Sequence, residues 1–394
     1  MSSKVKSKLK SPVKLAVVTS SRADYGILKP LMNAIRSNKN CHLINFITGS
    51  HLKVNAGHTF KQIEADGFTC DFKISSKVSV TNAGNINNGI STLIKQFSIA
   101  FDVSKPNYII VLGDRYEIFA ASIAAYVLQI PIAHIHGGEV TAGAFDEGFR
   151  HSITKFASLH FVTCDVYKKR VIQLGENPDT VYNVGALAVD NLLQTTLLGK
   201  SALEKELGIS FNENAALITY HPVTLEKNTS VKHLKNLFKA LEAYPEMTLI
   251  INVSNADTDG DLLNLEIERF VNARKNAVLI PSLGTTRFLS TLNVVSMMIG
   301  NSSAGLIEMP FFKKPSINIG DRQLGRFKPE SVIDCDTSVE AIQEGISKGL
   351  SKSFRKKISK MKYPFGDGNT ASKILQVILS TNSVSLKKEF FDLN

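Results

Sequence analysis

The sequence predicts two α/β domains, each a Rossmann-like doubly wound parallel sheet, facing each other across a cleft. Its 394 residues exceed what one ordinary hydrophobic core holds. From Leu15 onward, apolar runs of strand length alternate with amphipathic stretches of helical period, which is the pattern of βα units around a parallel sheet. After a connection at residues 185–200, the same alternation starts again. We predict a disordered basic tail at 1–12, one domain at 13–190, a second at 191–370, and a C-terminal helix at 371–394 packed back on the first domain.

The individual elements follow from the spacing of the apolar residues. In the first domain we expect strands at 15–19, 43–48, 69–74, 159–163 and 181–184, two more within 108–136, and helices at 27–37, 59–65, 90–101 and 165–174. In the second we expect strands at 215–220, 247–253, 277–280, 294–299 and 316–319, and helices at 231–243, 262–273 and 339–350. The last periodic stretch, 371–379, follows a Gly-rich hinge.

Composition limits the class of protein. Hydrophobic residues make up 43% and charged residues 21%, as in ordinary globular proteins. No apolar run approaches the roughly 18 residues that span a bilayer, and no signal peptide is recognisable. The four cysteines are widely spaced and fit buried thiols in a reducing compartment. We therefore expect a cytoplasmic protein without a membrane partner.

The formal net charge of +11 raises the question of nucleic acid. Five lysines lie in or beside the N-terminal tail, and a second basic group runs over residues 352–362. No RNA-binding or helix-turn-helix pattern accompanies them. We interpret the charge as solvated surface charge that also attracts an anionic small molecule, and we expect no nucleic-acid partner.

Residues 108–151 form the stretch around which the chain is organised. Two apolar runs each end in Gly and charged residues, as buried parallel strands do where they open onto a site. Open α/β sheets place ligands at the carboxyl ends of their strands. We therefore expect one crevice to collect acids, bases and cations from this stretch: Asp114, Arg115, His134, His136, Glu139, Asp146, Arg150 and His151.

Two further stretches are typical of anion binding. Ser20 to Gly26 lies between the first strand and the first helix, where backbone N–H groups favour an anion and Arg22 adds further donors. Gly300 to Glu308 follows an apolar run and opens a helix, so its small residues and the hydroxyls of Ser302 and Ser303 suit a diphosphate. An ordinary charged turn and an ordinary Gly/Ser connection remain the alternatives.

Single residues complete the predicted site. Glu308 is placed to accept from ribose hydroxyls, and Arg322 ends the next strand and can join the same anion site. His221 follows the first strand of the second domain, where both a structural and a catalytic role are open. Asn255 is interpreted as a hydrogen-bonding group at a strand end.

We predict no metal and no other cofactor. His134 and His136 alternate along a strand and should point to one face, but no zinc spacing accompanies them. The run from Asp257 to Asp261 lacks the glycine that a calcium loop needs, since Leu262 stands in its place. No Walker A sequence is present, and the Gly366 to Ala371 run follows no strand, which disfavours kinases and nicotinamide dehydrogenases.

With these motifs assembled, the chain resembles the hydrolysing UDP-N-acetylglucosamine 2-epimerases of bacterial sialic and nonulosonic acid biosynthesis, which also form one half of the animal bifunctional enzyme. The match runs from about Leu15 to Asn369. It rests on ordered motifs: 21–25 (SRADY), 49–51 (GSH), 113–117 (GDRYE), 134–139 (HIHGGE), 150–155 (RHSITK), His221-Pro222, 254–257 (SNAD), 300–308 and 318–326.

The resemblance implies a GT-B-like pair of domains, the second of which binds the nucleotide, and a reaction that yields N-acetylmannosamine and UDP. It implies nucleotide contacts from Arg22, Arg115, His221, Asn255, Ser302, Ser303, Glu308 and Arg322. It also implies that Asp114 and Asp146 take part in the chemistry. The animal enzyme has Glu where this chain has His136, so Glu139 is the alternative candidate for that role. By analogy, a homodimer or homotetramer is expected.

The expected reaction is elimination followed by hydration, with Asp114, His136 and Asp146 as acid/base candidates. Two rivals remain within enzymes. One is the same reaction on UDP-2,4-diacetamido-2,4,6-trideoxyglucose for legionaminic acid, because nothing in the sequence reads the substituents at C4 or C6. The other is a GT-B glycosyltransferase, which needs an acceptor. A non-catalytic nucleotide-sugar sensor is a third class, which the retention of Asp114 and Asp146 disfavours.

Overall fold

A computed structural model of the chain describes residues 11–54, 57–76, 83–140, 146–221, 229–252, 260–381 and 386–393. The chain divides into two compact units. The first is built from the described parts of Met1–Gly138, Gly148–Leu187 and Asn369–Asn394, and the second from those of Glu139–Glu147 and Ala188–Gly368. No helix among the described residues is long and apolar enough to cross a membrane.

Strands and helices alternate along most of the chain. The strands are β1 (Val13–Thr19), β2 (Cys41–Ile47), β3 (Phe72–Lys73), β4 (Tyr108–Leu112), β5 (Ile132–Ile135), β6 (Leu159–Val162), β7 (Val181–Asn183), β8 (Ala216–Thr219), β9 (Leu249–Asn252), β10 (Ala277–Ile280), β11 (Met297–Gly300), β12 (Ser316–Ile319) and β13 (Val332–Cys335). The helices are α1 (Arg22–Ser37), α2 (Phe60–Ala65), α3 (Ala83–Ser104), α4 (Tyr116–Val127), α5 (Asp146–Phe156), α6 (Asp165–Gln173), α7 (Leu187–Gln194), α8 (Lys200–Leu207), α9 (Ser230–Leu241), α10 (Gly260–Asn272), α11 (Gly284–Val294), α12 (Glu308–Phe311), α13 (Val339–Leu350), α14 (Lys352–Ser359) and α15 (Thr370–Ser380).

Each unit contains one parallel sheet. Within the described residues, the first sheet has the order β3-β2-β1-β4-β5-β6-β7 and the second the order β10-β9-β8-β11-β12-β13. The strand order reverses between β1 and β4 in the first sheet and between β8 and β11 in the second. In doubly wound sheets, such reversals open crevices at the carboxyl ends of the two central strands. The topology therefore marks two places where ligands are expected.

The strands alternate their side chains between the two faces of each sheet. In β1, Leu15 and Val17 pack in one core, while Ala16 and Val18 pack in the core on the opposite face. Strand β8 does the same, with Ile218 in one core and Leu217 in the other. Burial on both faces explains why the strands are continuous apolar runs.

The helix α1 begins at Arg22, five residues earlier than the periodicity predicts. Ser21 forms a capping box with Asp24, in which the Ser21 side chain accepts from the Asp24 backbone and the Asp24 side chain accepts from the Ser21 backbone. The first turn of α1 is polar, so the spacing of apolar residues does not show where the helix begins. Only the capping residues Ser21 and Asp24 mark its start. Arg22 consequently lies in the first turn of a helix and not in a loop before it.

The C-terminal part of the chain returns to the first unit. Ile374 and Ile378 of α15 pack in the same core as Leu28 and Leu31 of α1. The helix ends at Ser380, and residues 386–393 have no helical structure. The periodic stretch at 371–379 is therefore a helix as predicted, whereas the assignment of the whole segment 371–394 to a C-terminal helix is wrong.

Candidate functional site

The N-terminus of α1 is occupied by a carboxylate of its own chain. Asp24 accepts hydrogen bonds from the backbone N–H groups of Ser20 (2.8 Å), Ser21 (2.7 Å) and Tyr25 (2.7 Å). The hydroxyls of Thr19 and Ser20 donate to the same carboxylate. The prediction that these N–H groups bind a ligand anion is therefore wrong, because Asp24 already supplies the negative charge. Arg22 is exposed at the surface of this turn.

His134 ties β5 to the end of β4. It is fully buried, with Nε2 2.9 Å from the Gly113 carbonyl oxygen and Nδ1 3.1 Å from Oγ1 of Thr154. A carbonyl oxygen only accepts, so Nε2 carries the proton and Nδ1 accepts from the Thr154 hydroxyl. Burial lowers the pKa of His134 to about 3, so the ring is neutral at neutral pH. Both nitrogens are engaged, which makes His134 a structural support for the residue after Gly113.

That next residue, Asp114, forms an ion pair with Arg150 of α5. The Arg150 side chain is 4% exposed, and its Nη1 donates to the His136 carbonyl oxygen at 2.8 Å. Arg150 thereby joins the ends of β4 and β5 to α5. Asp114 keeps 17% of its side chain exposed, so its carboxylate remains accessible at the β1/β4 reversal.

His136 departs from the predicted geometry. The strand β5 ends at Ile135, and His136 has a φ of 67°, in the left-handed region that side chains rarely adopt. Strand alternation therefore stops before His136, and the prediction that His134 and His136 point to one face of a strand is wrong. His136 itself is buried. A strained backbone beside a buried ion pair is typical of functional sites.

Arg115 is held by a buried carboxylate. Its Nε and Nη2 each lie 3.2 Å from an oxygen of Glu117, whose side chain is 1% exposed. Burial lowers the pKa of Arg115, but the Glu117 carboxylate outweighs that effect and raises it. A Cβ on Gly49 would lie 2.6 Å from Oε1 of Glu117, so the glycine leaves room for this pair. Glu117 therefore fixes the orientation of the Arg115 guanidinium, at the residue that follows Asp114.

The second crevice is built on Gly300, at the end of β11. Gly300 has a φ of 140°, and a Cβ there would lie 2.0 Å from the Thr219 carbonyl oxygen on β8. The Asn301 N–H donates to that same oxygen at 3.2 Å. The Ser302 hydroxyl accepts from the Ala304 N–H and caps a short 3-10 helix, Ser303–Gly305. Only glycine permits this close approach of loop and strand.

Asn301 connects three strand ends. Its side chain forms two hydrogen bonds with the backbone of His221, from the His221 N–H and to the His221 carbonyl oxygen, both at 2.8 Å. Its own carbonyl oxygen accepts from Nη1 of Arg322 (3.0 Å) and Nε2 of Gln323 (2.8 Å). His221, the Ser302 loop and Arg322 are thus fixed together at the β8/β11 reversal.

His221 combines burial with a nearby cation. Burial, reinforced by the positive charge of Arg322, lowers the pKa of His221 to about 4. The ring is therefore neutral at neutral pH. Its Nδ1 is buried, and no hydrogen-bond partner for that atom occurs among the described residues. A neutral imidazole in this position can hydrogen-bond a ligand or exchange a proton with it.

Glu308 begins α12, and burial raises the pKa of its carboxyl to about 7. Because the folded protein then binds this proton more tightly than the unfolded chain does, the free energy of unfolding falls as the pH rises from about 4.5 to 7. Glu308→Gln has no such proton. We expect the variant to gain stability relative to wild type between pH 5 and pH 8, by about 2 kcal/mol.

Urea unfolding at the two pH values measures this difference. Glu344→Gln, at an exposed position of α13, is the matched control and should follow wild type at both. A Glu308→Gln difference that is the same at pH 5 and pH 8 would contradict the raised pKa of Glu308.

The predicted residues are distributed over both units. The first contains Arg22, Asp114, Arg115 and His136, and the second contains Glu139, Asp146, His221, Ser302, Ser303, Glu308 and Arg322. Asn255 lies outside the described residues. In the second unit, the Arg326 Nε donates to the Val140 carbonyl oxygen at 2.9 Å, which holds the segment that begins with the buried Glu139.

Sequence reasoning missed the residues that position the others. Asn301 and Gln323 were read only as parts of loops, and Glu117 only as part of a motif. His134 was considered for a metal and not as a support. Asn301 directly follows a buried strand and Glu117 lies at the start of a helix, where backbone groups need hydrogen-bond partners. His134 within β5 and Gln323 in the loop after β12 have no such signal.

Two parallel α/β sheets, each with a strand-order reversal at its centre, are the architecture of proteins with a GT-B-like fold. A crystal structure of the UDP-GlcNAc 2-epimerase from Neisseria meningitidis, bound to UDP-GlcNAc, matches with a TM-score of 0.78 at 18% sequence identity, over 93% of this chain and 100% of that one. This likeness confirms the predicted fold class.

The sequence comparisons give the family. The profile described as UDP-N-acetylglucosamine 2-epimerase matches residues 33–379. The "GDP/UDP-N,N'-diacetylbacillosamine 2-epimerase (hydrolyzing)" of Campylobacter jejuni is 36% identical over 96% of this chain and 99% of its own length. The "Polysialic acid biosynthesis protein P7" of Escherichia coli is 35% identical, over 96% and 97%. The chain belongs to the UDP-N-acetylglucosamine 2-epimerase family, and it is an enzyme of the hydrolysing kind, as its sequence motifs predict.

Proposed function

We propose that this enzyme converts UDP-N-acetylglucosamine and water to N-acetylmannosamine and UDP, in the biosynthesis of sialic acid-type sugars. One observation carries the proposal. In a chain of this family, both strand-order reversals hold polar groups of the required kind: the Asp114–Arg150 pair in the first unit, and the Gly300 to Ser303 loop with His221 and Arg322 in the second.

The first step is an elimination. A base takes the proton from C2 of the sugar, the C2–H electrons form the C1=C2 bond, and the bond from C1 to the diphosphate oxygen breaks to release UDP. Negative charge grows on the leaving diphosphate as that bond breaks. Arg322, Ser302 and Ser303 are the groups proposed to stabilise it, because fixed donors aimed at developing charge lower the barrier.

The second step hydrates the glycal. A proton is added to C2 on the face opposite to that of the proton removed, and the oxygen of water bonds to C1 as a hydroxyl while its other proton passes to a base. Two differently placed acid/base groups are required, and Asp114, His136, Glu139, Asp146 and His221 are the candidates.

The remaining nucleotide contacts are proposed for Glu308, Arg22, Arg115 and Asn255. Glu308, with its raised pKa, can accept from the ribose hydroxyls once it has lost its proton. Arg115, held by Glu117, provides a cation of fixed orientation in the first unit.

Incubation with UDP-N-acetylglucosamine and no acceptor tests the reaction. Equal amounts of UDP and N-acetylmannosamine are expected, with no reaction in the presence of heat-inactivated protein. Turnover that appears only after a sugar or peptide acceptor is added would identify a glycosyltransferase and sink the proposal. Tight UDP binding without turnover of any nucleotide sugar would identify a sensor.

A second candidate substrate is UDP-2,4-diacetamido-2,4,6-trideoxyglucose, for legionaminic acid. The observation behind it is the 36% identity to the Campylobacter jejuni enzyme, whose name specifies diacetylbacillosamine linked to GDP or UDP. The 35% identity to the polysialic acid protein of Escherichia coli stands on the side of the first substrate. The chemistry at C1 and C2 is unchanged, so the same residues serve. A comparison of kcat/KM for the acetamido and diacetamido sugars, each linked to UDP and to GDP, assigns the substrate and the nucleotide.

We also propose a cytoplasmic homo-oligomer, a dimer or a tetramer. The four cysteines are free, which fits a reducing compartment. Large apolar side chains are exposed at the C-terminal ends of the packed helices α3 and α4: Ile99, Val103, Tyr126, Val127 and Leu128. Because α3 and α4 pack against each other, these side chains can form one apolar surface, which is typical of a protein interface.

The double variant Val103→Asp/Val127→Asp tests this surface. Wild type should have two or four times the chain mass of 43.2 kDa in light scattering after gel filtration. The double variant should dissociate to single chains, because charges are costly in an apolar interface. Leu265→Asp, an exposed leucine of the second unit, should leave the mass unchanged. A monomeric wild type would refute oligomerisation, and an undissociated double variant would refute this interface.

A further inference from the structure

The last described residues of the chain, 386–393, belong to the first unit and pack beside Gly175. The Phe391 N–H donates to the Gly175 carbonyl oxygen at 3.0 Å. The ring of Phe390 covers Gly175 so closely that a Cβ on that glycine would lie 2.3 Å from the ring. These contacts place Lys388 beside the C-terminal end of α5.

Lys388 acts as a cap for that helix end. Its Nζ donates to the carbonyl oxygens of Ala157 (2.6 Å), Lys155 (2.8 Å) and Thr154 (3.5 Å). The last carbonyl groups of a helix have no partners within the helix, and a cation is favoured at the negative end of its dipole. One ammonium group from the C-terminal tail therefore satisfies several carbonyl groups of α5.

A buried carboxylate fixes the ammonium group in place. Glu176, with 2% of its side chain exposed, lies 2.6 Å from Nζ of Lys388, 2.6 Å from Nζ of Lys155 and 3.0 Å from Nε2 of His160. Burial raises the pKa of Glu176, but His160 and the two lysines outweigh it and lower the pKa to about 2. The carboxylate therefore remains charged at all ordinary pH values and holds Lys388 at the helix end.

The helix that Lys388 caps carries the groups around Asp114. Arg150, on the turn before the capped carbonyl groups, pairs with Asp114 and holds the His136 carbonyl oxygen. Thr154, whose carbonyl Lys388 contacts, donates its hydroxyl to His134, which in turn holds Gly113. A shift of the C-terminal end of α5 would thus displace Asp114 in two ways. One is through Arg150, and the other is through the hydrogen bonds that join Thr154, His134 and Gly113.

We propose that Lys388 is a positioning residue for the reaction: by capping α5 it sets the geometry of the Asp114–Arg150 pair. The inference rests on the proposed function, because it assigns the chemistry to Asp114. The C-terminal tail then serves the reaction through α5.

Lys388→Met in the full-length enzyme tests this role. The variant keeps the length of the side chain but loses the donor. We expect kcat to fall about 10- to 100-fold, since a misplacement of ~1 Å in a catalytic group costs on that order. KM and the Kd for UDP should stay within twofold of wild type, and Lys388→Arg should restore most of kcat. Lys387→Met, at the exposed neighbouring position, is the matched control and should behave as wild type.

Two measurements separate positioning from folding. UDP titration counts the binding-competent molecules, so kcat is expressed per competent site, and a loss that disappears after this correction would reduce Lys388 to a stabilising residue. Hydrogen exchange over residues 147–157 should accelerate in Lys388→Met and not in Lys387→Met. Unchanged kcat or unchanged exchange would overturn the proposal. If wild type itself releases no UDP, the proposed function fails, and the exchange data alone then decide whether Lys388 anchors α5.

Discussion

Asp114→Asn is expected to bind UDP as wild type does and to lose about 1,000-fold in kcat, within the range that general acid/base groups contribute. Asn keeps an oxygen that accepts from Arg150, so the link between β4 and α5 survives while the group that exchanges protons is lost. Steady-state kinetics and UDP calorimetry measure the two effects separately.

The control for this variant is Asp102→Asn, the same change at an exposed position of α3. It should retain wild-type kinetics. Removing one partner of a buried ion pair can itself destabilise a protein, so the thermal midpoint of Asp114→Asn is recorded alongside kcat. A wild-type rate in Asp114→Asn would remove Asp114 from the chemistry, and a loss of UDP binding would mean that the residue serves the nucleotide instead.

Gly300→Ala is expected to have the largest effect on stability and to abolish nucleotide binding. The new Cβ would lie 2.0 Å from the Thr219 carbonyl oxygen at a φ of 140°, so either β8 and β11 separate or the loop moves. Backbone strain and overpacking each cost about 1–3 kcal/mol, which gives a loss of roughly 2–6 kcal/mol. Asn301, whose N–H bonds to the same oxygen, would be displaced together with Ser302.

Denaturant unfolding and UDP titration measure this outcome. Gly199→Ala is the matched control in the second unit, because nothing lies within 4 Å of its added Cβ and its φ is −67°. It should lose only about 1 kcal/mol, the typical cost of Ala at a helix N-cap, and should bind UDP as wild type does. If Gly300→Ala binds UDP with wild-type affinity, the loop after β11 does not hold the diphosphate.

The spacing of apolar residues predicted the bounds of an element correctly where its pattern is uninterrupted. The strands Ala277–Ile280 and Ser316–Ile319 and the helix Val339–Leu350 have the predicted bounds. It failed at Val294, where we expected a strand to begin: Val294 ends α11, and β11 begins at Met297. A run of apolar β-branched residues is compatible with both a buried helix end and a buried strand, and only the tertiary packing decides.

Helices and strands that are shorter or more polar show no clear periodicity of apolar residues in the sequence. The helix Gly284–Val294 and the basic helix Lys352–Ser359 were not predicted, nor was the edge strand Val332–Cys335. Edge strands are partly solvated and short, so their alternation covers too few residues to read. These elements form through contacts with the rest of the second unit.

Some residues of the candidate site could be predicted from the sequence and others could not. Residues directly after buried strands, such as Asp114 and His221, could be proposed because parallel strands end at a common edge. The groups that fix them could not. Lys388 lies far from Glu176 in the sequence, and the turn at His136 depends on a left-handed φ that most histidines do not adopt. Such contacts follow from the folded chain and not from local pattern.

The pairing of Asp24 with the N-terminus of α1 has a similar origin. The motif from Ser20 to Gly26 matches both an anion site and a self-capped helix, because an N-terminal carboxylate and a bound anion satisfy the same N–H groups. The hydrogen-bond distances from the backbone N–H groups to the Asp24 carboxylate show a self-capped helix.

We propose that the proton at C2 is removed as the bond from C1 to the diphosphate breaks, and that a proton from solvent is then added to C2. Turnover of UDP-N-acetylglucosamine in D₂O enriched in ¹⁸O, followed by NMR and mass spectrometry, tests it directly. We predict N-acetylmannosamine with one deuterium at C2, and UDP without ¹⁸O. Product that retains its original hydrogen at C2, or UDP that carries ¹⁸O from cleavage at phosphorus, would contradict it.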